Sequence, residues 1–277
     1  SLAELNDSFL SDLSFDELVY VDDDELSRFL EDEGRKMPVP VVKDEQKETP
    51  IYEIAPAELT GEKRNYRITD DTLGVGGPKE KFRRNMAAIN LLHTLEGENR
   101  LATPAEQEVL SQYTGWGGLS DAFDIGRTNW SQEYEELKSS LTPEEYEAAR
   151  ESTLTAFYTP PIVIKAMYDA LGNMGFKRGN ILEPSCGVGN FIGLLPETMN
   201  ESKVYGVELD SISGRIARQL YQKESITVNG YEKTQFPDSF FDVAIGNVPF
   251  GQFKVVDRKY DKYNFLIHDF FFAKTLD

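Results

Sequence analysis

Residues 181–191, "ILEPSCGVGNF", place an apolar strand directly before a turn that contains Gly187 and Gly189. Glycine lets a chain turn tightly and lets a ligand come close to the backbone, and a helix that comes next offers free amide groups at its N-terminus. Such a turn is a weak signal by itself, because many connections between a strand and a helix carry glycine. Its interpretation therefore depends on the next strand of the chain.

The next predicted strand supplies a second signal, because it ends in an acidic residue. That strand, in "KVYGVELD" (residues 203–210), ends in Glu208, which lies 19 residues beyond Gly189. An acidic residue about 20 residues beyond a glycine turn can bind the hydroxyl groups of a ribose. The two features together indicate a cofactor that contains a nucleoside. Position 192 is Ile where the dinucleotide-binding motif has a third Gly, which disfavours NAD and leaves S-adenosylmethionine open.

The surrounding sequence alternates helical and strand patterns from about residue 155. Strands that are separated by helices form a parallel sheet, because each crossover returns the chain to the same end of the sheet. We therefore predict an α/β fold for this region. The predicted strands lie in "NILEPS", "KVYGVELD", "ITVNG" and "FDVAIGN", and the predicted helices lie in "PPIVIKAMYDALGNMG", "SISGRIARQLYQ" and "NFLIHDFFFAKTLD".

A helical segment precedes the α/β region, at residues 61–150. The stretch "KEKFRRNMAAINLLHTLE" has apolar residues at helical spacing on a stripe that ends at His93, which we therefore expect to be partly buried. Capping boxes at Thr103 and Thr142, each followed by Pro and then by Glu three positions on, begin two further helices. Glycines around Trp116 in "TGWGG" predict a tight corner on which the indole packs.

The composition excludes several classes of protein. One cysteine in 277 residues leaves no disulfide framework and no cysteine-based metal site, and two distant histidines disfavour a histidine-rich metal site. No apolar run approaches the roughly 20 residues that a membrane span requires. The N-terminus shows no signal peptide. We therefore expect a cytoplasmic protein with no membrane partner.

The net charge of −19 is concentrated in residues 1–60, which hold 17 acidic and 5 basic side chains. Such acidity disfavours a broad electrostatic contact with nucleic acid, although it is compatible with local basic patches. We interpret residues 1–60 as an acidic arm and linker. The sharper alternative is an arm that docks on a partner or imitates the charge of DNA.

The fourth predicted strand ends in "GNVPFG" (residues 246–251), which is unusual for a buried strand. Ligands bind at the carboxyl ends of parallel strands. The side-chain amide of Asn247 and the carbonyl of Val248 can both accept hydrogen bonds from one amino group, and Pro249 restricts the conformation of Val248. Phe250 can stack on a planar base. Two accepted hydrogen bonds draw the lone pair of an exocyclic amine out of conjugation, which makes its nitrogen a better nucleophile toward a methyl sulfonium.

The region from about residue 155 resembles the amino-methyltransferases, and most of all the γ-type DNA adenine-N6 methyltransferases. Their catalytic motif is Asn/Asp-Pro-Pro-Tyr/Phe, and "NVPF" is similar to it with Val248 in place of the first proline. The resemblance implies a Rossmann-like methyltransferase fold that depends on S-adenosylmethionine. It also implies that Asn247 and the carbonyl of Val248 accept from the target amine, that Pro249 gives rigidity and that Phe250 stacks on a flipped adenine.

The resemblance extends to the cofactor motifs of that family. "AFYTPPIVIKAM" is similar to the segment whose Thr-Pro turn touches the methionine end of the cofactor, and "LEPSCGVGNF" and "GVELD" are similar to the cofactor loop and the ribose contact. On the adenine side, after the third strand, the candidate is Glu232 or its neighbour Tyr231. The resemblance therefore implies a cofactor site made of Tyr158, Thr159, Pro160, Glu183, Pro184, Ser185, Gly187, Gly189, Glu208 and Glu232.

A wider resemblance covers about residues 61–277. "LGVGGPKEKFRRNMAAINLL", "YTGWGGL" and "ILEPSCGVGNF" resemble the front of large methylase–helicase proteins that phages and conjugative elements carry. It implies a mobile-element protein of the restriction–modification kind, with a helicase region in the same polypeptide. We expect an acidic arm (1–60), a helical subdomain (61–150) and a methyltransferase domain (151–277).

The methyltransferase sheet of this family has seven strands, of which this sequence predicts four. We therefore expect an incomplete sheet with an open edge at its fourth strand, in the N-terminal part of a longer protein that contacts DNA mainly elsewhere. The alternative, that "IYEI" or "YRIT" completes the sheet, is disfavoured. Three functions stay open: methylation of adenine in DNA, methylation of an RNA or protein amine, and a non-catalytic interaction module with a methyltransferase fold.

Overall fold

The computed structural model describes residues 59–70, 74–154 and 158–277, so residues 1–58 of the acidic arm, with "IYEI", lie outside the described residues. The helices are α1 (Pro78–Gly97), α2 (Pro104–Ser111), α3 (Ser131–Ser140), α4 (Pro143–Glu151), α5 (Pro161–Asn173), α6 (Asn190–Gly193), α7 (Ser211–Leu220) and α8 (Ile267–Leu276). The strands are β1 (Asn180–Glu183), β2 (Lys203–Glu208), β3 (Ser225–Val228) and β4 (Val243–Ala244). None of the helices in these ranges is long and apolar enough to cross a bilayer.

The four strands form one parallel sheet in the order β3-β2-β1-β4. β1 is central, because Leu182 is in register with Tyr205 of β2 on one side and with Ala244 of β4 on the other. Parallel pairing brings the carboxyl ends of all four strands to one edge of the sheet. This arrangement confirms the α/β fold that the alternation of helix and strand patterns predicts.

β4 is shorter than the strand predicted from "FDVAIGN". Only Val243 and Ala244 have strand geometry, although backbone hydrogen bonds of 2.9 Å to Asn180 and Leu182 continue the pairing by one residue at either end. Within the described residues the outer edge of β4 pairs with no strand, which agrees with the prediction of four strands and an open edge at the fourth. The segment "YRIT" does not join the sheet, and the N–H of Tyr66 donates instead to the backbone at the end of α7.

The helices before the sheet agree with their sequence signals. Thr103 and Thr142 each begin a helix through a capping box, as predicted. His93 at the end of the apolar stripe of α1 is half-buried, and its Nε2 lies 3.4 Å from Oε1 of Glu145. The stripe itself is buried at Phe82, Met86 and Ile89. The periodicity of this segment therefore predicts correctly both the helix and the face that it buries.

Three buried glutamines join these helices to the sheet region. The Gln219 side chain on α7 accepts a 2.8 Å hydrogen bond from the N–H of Ala102, and Gln222 donates 2.9 Å to the carbonyl of Ala102. Gln107 on α2 donates to the carbonyls of Gln219 and Leu220, both at 2.9 Å. One cluster of buried apolar side chains also includes residues of both regions. The helices before the sheet and the sheet region therefore share one core.

We expect Gln107→Ala to lower the free energy of unfolding by about 1–3 kcal/mol, because a buried side chain and two hydrogen bonds to α7 are lost. Val109→Ala, on the exposed side of the same helix, is the matched control and should change stability by less than about 1 kcal/mol. Chemical denaturation of both variants measures the difference. Equal values would contradict the role given to Gln107 in joining α2 to α7.

Candidate cofactor and substrate site

A cleft of about 460 Å³ lies at the carboxyl ends of β1, β2 and β4. It is lined by the loop after β1, the end of β2 with the start of α7, the loop after β4, and part of the helical region. The predicted site residues in its lining are Tyr158, Thr159, Glu183, Ser185, Gly187, Glu208, Asn247, Val248, Pro249 and Phe250. The fold thus brings the residues predicted for catalysis into the same cleft as most of those predicted for cofactor binding.

The turn after β1 is held by close contacts on two sides. Gly187 has a φ of +55°, and a Cβ atom there would lie 2.5 Å from Cε1 of Tyr158, so the position requires glycine. The N–H of Gly187 donates a 2.6 Å hydrogen bond to Oε2 of Glu208. The helix behind the turn, α6, has only four residues and few aligned amides, in contrast to the expected helix N-terminus. The Tyr158 ring and the Glu208 carboxylate therefore fix the conformation of the turn after β1.

Glu208 uses both of its carboxylate oxygens at the end of β2. Oε2 accepts from Gly187, and Oε1 accepts a 2.7 Å hydrogen bond from the N–H of Asp210. Burial raises the pKa of Glu208 to about 7, although the hydrogen bonds from the backbone act in the opposite direction. Asp210 itself caps α7 by accepting from the N–H of Ser213. An ionised Glu208 keeps further lone pairs that hydroxyl groups of a ligand can reach.

Glu183 is a buried carboxyl group that lacks a partner for one oxygen. The residue is 2% exposed, and no group in the described parts of the chain forms a hydrogen bond with its Oε2. Burial, with the charge of Glu208 as a further cause, raises the pKa of Glu183 well above its usual range. An unpaired polar atom in a cleft wall is unfavourable unless a ligand meets it. Hydroxyl and amino groups of a nucleoside-containing cofactor would supply such partners.

Residues 247–250 come after β4 and form another wall of the cleft. The main-chain carbonyl of Asn247 accepts a 2.9 Å hydrogen bond from Oγ of Ser185, which fastens this loop to the turn after β1. The ring of Phe250 is 64% exposed and stacks on His268, with 5.5 Å between ring centroids and 28° between ring planes. His268 on α8 thus supports a ring at the cleft.

Four predicted cofactor residues lie outside this cleft: Pro160, Pro184, Gly189 and Glu232. Pro184 and Glu232 line a second cleft of about 950 Å³ beside β4, and Val248 lines both clefts. Tyr231, the alternative to Glu232, is buried and shares a 3.1 Å hydrogen bond with Thr275. The adenine-side contact predicted at Glu232 therefore belongs to the neighbouring cleft and stays a prediction.

Several residues of the cleft are not among the predicted site residues. They are Tyr113, Gly115, Ser152, Cys186, Asn190, Phe191, Asp210 and Ser213. Tyr113 and Gly115 belong to the helical region, which the sequence patterns separate from the cofactor motifs. The signal in that region is the glycine pattern of "TGWGG", which predicts a packed corner.

Comparison with known proteins supports a methyltransferase. Residues 182–258 match the protein family described as "Methyltransferase domain". The chain is 28% identical over 185 residues to the defense against restriction protein B of Escherichia phage P1, covering 64% of this chain and 6% of that protein. It is 37% identical over 94 residues to the type II methyltransferase M.CvrRI of Paramecium bursaria Chlorella virus XZ-6E, covering 34% and 24%. It is 26% identical over 122 residues to the modification methylase CviBIII of Paramecium bursaria Chlorella virus NC1A, covering 44% and 31%. The chain thus spans less than a third of the length of each relative.

Two solved structures are also similar. A class I S-adenosylmethionine-dependent methyltransferase from Listeria monocytogenes has a TM-score of 0.37 and 15% identity, with 70% of this chain and 69% of that chain covered. A type I restriction–modification system methyltransferase subunit from Streptococcus thermophilus has a TM-score of 0.32 and 13% identity, with 67% and 60% covered. Because both TM-scores are low, the fold assignment rests on the sheet order and the family match.

The sheet has the α/β, Rossmann-like fold, residues 182–258 match a methyltransferase domain, and together these findings indicate S-adenosylmethionine as the cofactor. The chain is similar in sequence to phage and viral methyltransferases. The two acids at the cleft, Glu183 with its unpaired oxygen and Glu208, fit a ligand that carries a positive sulfur, an amino group and a ribose diol.

We expect the affinity for S-adenosylmethionine to fall as the pH is lowered from 8 to 6. The pKa of Glu208 in the free protein is raised to about 7, so its carboxyl group takes up a proton over this range and loses acceptor capacity for the ribose hydroxyls. Calorimetric titration at several pH values measures the dependence. Glu208→Gln should bind more weakly at pH 8 and lose most of the pH dependence. A dependence that survives this substitution unchanged would contradict the assignment to Glu208.

Proposed function

We propose that this methyltransferase domain, with S-adenosylmethionine as its cofactor, transfers a methyl group to N6 of an adenine that has been turned out of a DNA duplex. The observation that carries the proposal is the position of residues 247–250. These residues, which carry a side-chain amide, a backbone carbonyl and an accessible ring, line the same cleft as Glu183 and Glu208. A planar amine held by that loop would therefore lie in the cofactor cleft.

Asn247 and Val248 would hold and activate the target amine. The Asn247 side-chain oxygen and the Val248 carbonyl would each accept one N–H of adenine N6, which draws the nitrogen lone pair out of the ring. The cofactor supplies a methyl group on a cationic sulfur. The nitrogen forms its new bond to carbon as the carbon–sulfur bond breaks, and the extra proton on nitrogen then leaves to solvent. Direct attack by the polarised amine requires no separate general base.

Val248 occupies the position of the first proline in the family motif, and the chain offers a substitute for the lost rigidity. Valine keeps the carbonyl but does not fix its own φ angle. Pro249 restricts Val248 from the C-terminal side. From the N-terminal side, the hydrogen bond from Ser185 to the Asn247 carbonyl fastens the peptide that joins Asn247 to Val248. Two constraints thus orient the Val248 carbonyl without a proline at position 248.

Phe250 would hold the flipped base by stacking. Its ring lines the cleft and is mostly exposed, while His268, which does not line the cleft, stacks on it. A ring supported in this way offers a fixed surface to a planar base. We assign Phe250 the stacking role that the sequence resemblance implies.

The choice of DNA as the acceptor is supported by the relatives, whose names are those of a type II methyltransferase and a modification methylase. RNA and protein amines offer similar planar nitrogens, and a non-catalytic module would bind cofactor without transfer. A helicase region in the same polypeptide, DNA contacts outside these 277 residues and a mobile-element origin are part of the proposal and rest on the sequence resemblance.

We expect Asn247→Ala to lower methyl transfer by roughly 100-fold or more while leaving the affinity for S-adenosylmethionine nearly unchanged, because one of two acceptors for the target amine is lost. Transfer is measured with labelled cofactor on natural DNA that lacks adenine methylation, with RNA and protein acceptors in parallel, in the full-length protein. Mass spectrometry of the digested DNA identifies N6-methyladenine. Normal turnover by Asn247→Ala, or label only in RNA or protein, would contradict the proposal.

Phe250→Ala should raise the KM for DNA and leave the affinity for cofactor nearly unchanged, because the stacking surface for the base is lost, an effect of about 1–3 kcal/mol per base in other proteins. Phe253→Ala is the matched control, since Phe253 is also half-exposed but lines neither cleft. Equal effects of the two substitutions on KM would argue against a stacking role for Phe250.

A further inference from the structure

The "TGWGG" corner of the helical region reaches the cofactor cleft. Gly115 lines the cleft, with φ of +68°, whereas Gly118 of the same corner has φ of +74° and is exposed. Trp116 between them is 1% exposed and forms an edge-to-face contact with Phe123, at 5.3 Å between centroids. The corner is therefore anchored in the core on one side and borders the cofactor cleft on the other.

Asn85 fixes the position of this corner from α1. The residue is fully buried, and its Nδ2 donates a 2.6 Å hydrogen bond to the carbonyl of Gly115. Its Oδ1 accepts a 2.8 Å hydrogen bond from the N–H of Thr114. A buried side-chain amide that both donates a hydrogen bond to one short segment and accepts one from it restricts the motion of that segment.

Tyr158 fills the space between the corner and the cofactor loop. A Cβ atom at Gly115 would lie 3.0 Å from Cε2 of Tyr158, and a Cβ atom at Gly187 would lie 2.5 Å from Cε1. These carbons are on opposite edges of the ring, so a shift of the ring in its own plane away from one glycine brings it closer to the other. The Tyr158 hydroxyl also lies 3.2 Å from Oγ of Ser213 on α7. Tyr158 thus sets the spacing between the corner and Gly187.

We propose that the corner at residues 114–118, held by Asn85, positions the cofactor loop through the Tyr158 ring, and that the helical region is in this way part of the S-adenosylmethionine site. The line of contacts runs from Asn85 to Gly115, through Tyr158 to Gly187, and ends at Glu208, which accepts from the N–H of Gly187. Asn85 and Gly115 are positioning residues. The proposal rests on the cofactor site and is independent of which acceptor is methylated.

Two glycine substitutions at the same corner test the proposal. Gly115→Ala and Gly118→Ala both place alanine at a positive φ, so both carry the same kind of backbone penalty and should lower the midpoint of thermal unfolding. Only the Cβ at Gly115 meets Tyr158, because nothing lies within 4 Å of a Cβ at Gly118. Gly115→Ala should therefore weaken S-adenosylmethionine binding by about tenfold or more, and Gly118→Ala by less than about twofold. Calorimetry without any acceptor, at a temperature where both variants are folded, measures the affinities.

A second pair covers the case in which Gly115→Ala does not fold. Asn85→Ser shortens the side chain so that it no longer reaches Gly115, and Asn90→Ser makes the same change on the exposed face of α1. We expect Asn85→Ser to weaken cofactor binding by about fivefold or more and Asn90→Ser to leave it unchanged. Cofactor affinity that is the same in both members of a pair would overturn the proposal. A protein that binds cofactor normally but does not methylate DNA would contradict the choice of DNA as acceptor, and that result would not bear on the role of this corner.

Discussion

The parallel pairing of β1 with both β2 and β4 is the constraint on which the site depends. It places Glu183 between the end of β2, which carries Glu208, and the loop after β4. Two hydrogen bonds then join the turn after β1 to its neighbours, from Gly187 to Glu208 and from Ser185 to the carbonyl of Asn247. The cofactor loop and the proposed substrate loop therefore keep a fixed relation because both are tied to the same turn.

In the free protein, ionisation of the two acids at this edge is unfavourable because both carboxyl groups are buried. Burial raises the pKa of Glu208 to about 7 and that of Glu183 well above its usual range. Groups whose pKa is raised in the folded state favour folding most below the pKa of the unfolded chain, and they lose that contribution as the pH rises through the folded value. At neutral pH the site is therefore less stable than it would be with neutral side chains. A ligand that supplies hydrogen-bond donors and positive charge recovers this free energy on binding.

Features that depend on neighbours in the chain could be predicted from the sequence. The stripe of α1, the capping boxes at Thr103 and Thr142, and the four strands arise from periodicity and local chemistry. Features that depend on contacts between distant segments could not. Neither the brief length of α6 nor the meeting of Gly115 with Tyr158 leaves a pattern within a window of sequence. The glycine at position 115 marks an unusual backbone, but its partner lies 43 residues further along.

The buried glutamines between α2 and α7 have a consequence for how this protein can be divided. A piece that begins at residue 151 would keep the four described strands and both acids, yet it would expose the amides of Gln219 and Gln222 and the apolar surface that the helices cover. Recombination between related genes, or truncation in the laboratory, would thus preserve a foldable unit only if the retained segment includes both the sheet and the helices from α1 onward. Domain borders drawn from cofactor motifs alone would cut this protein through its interior.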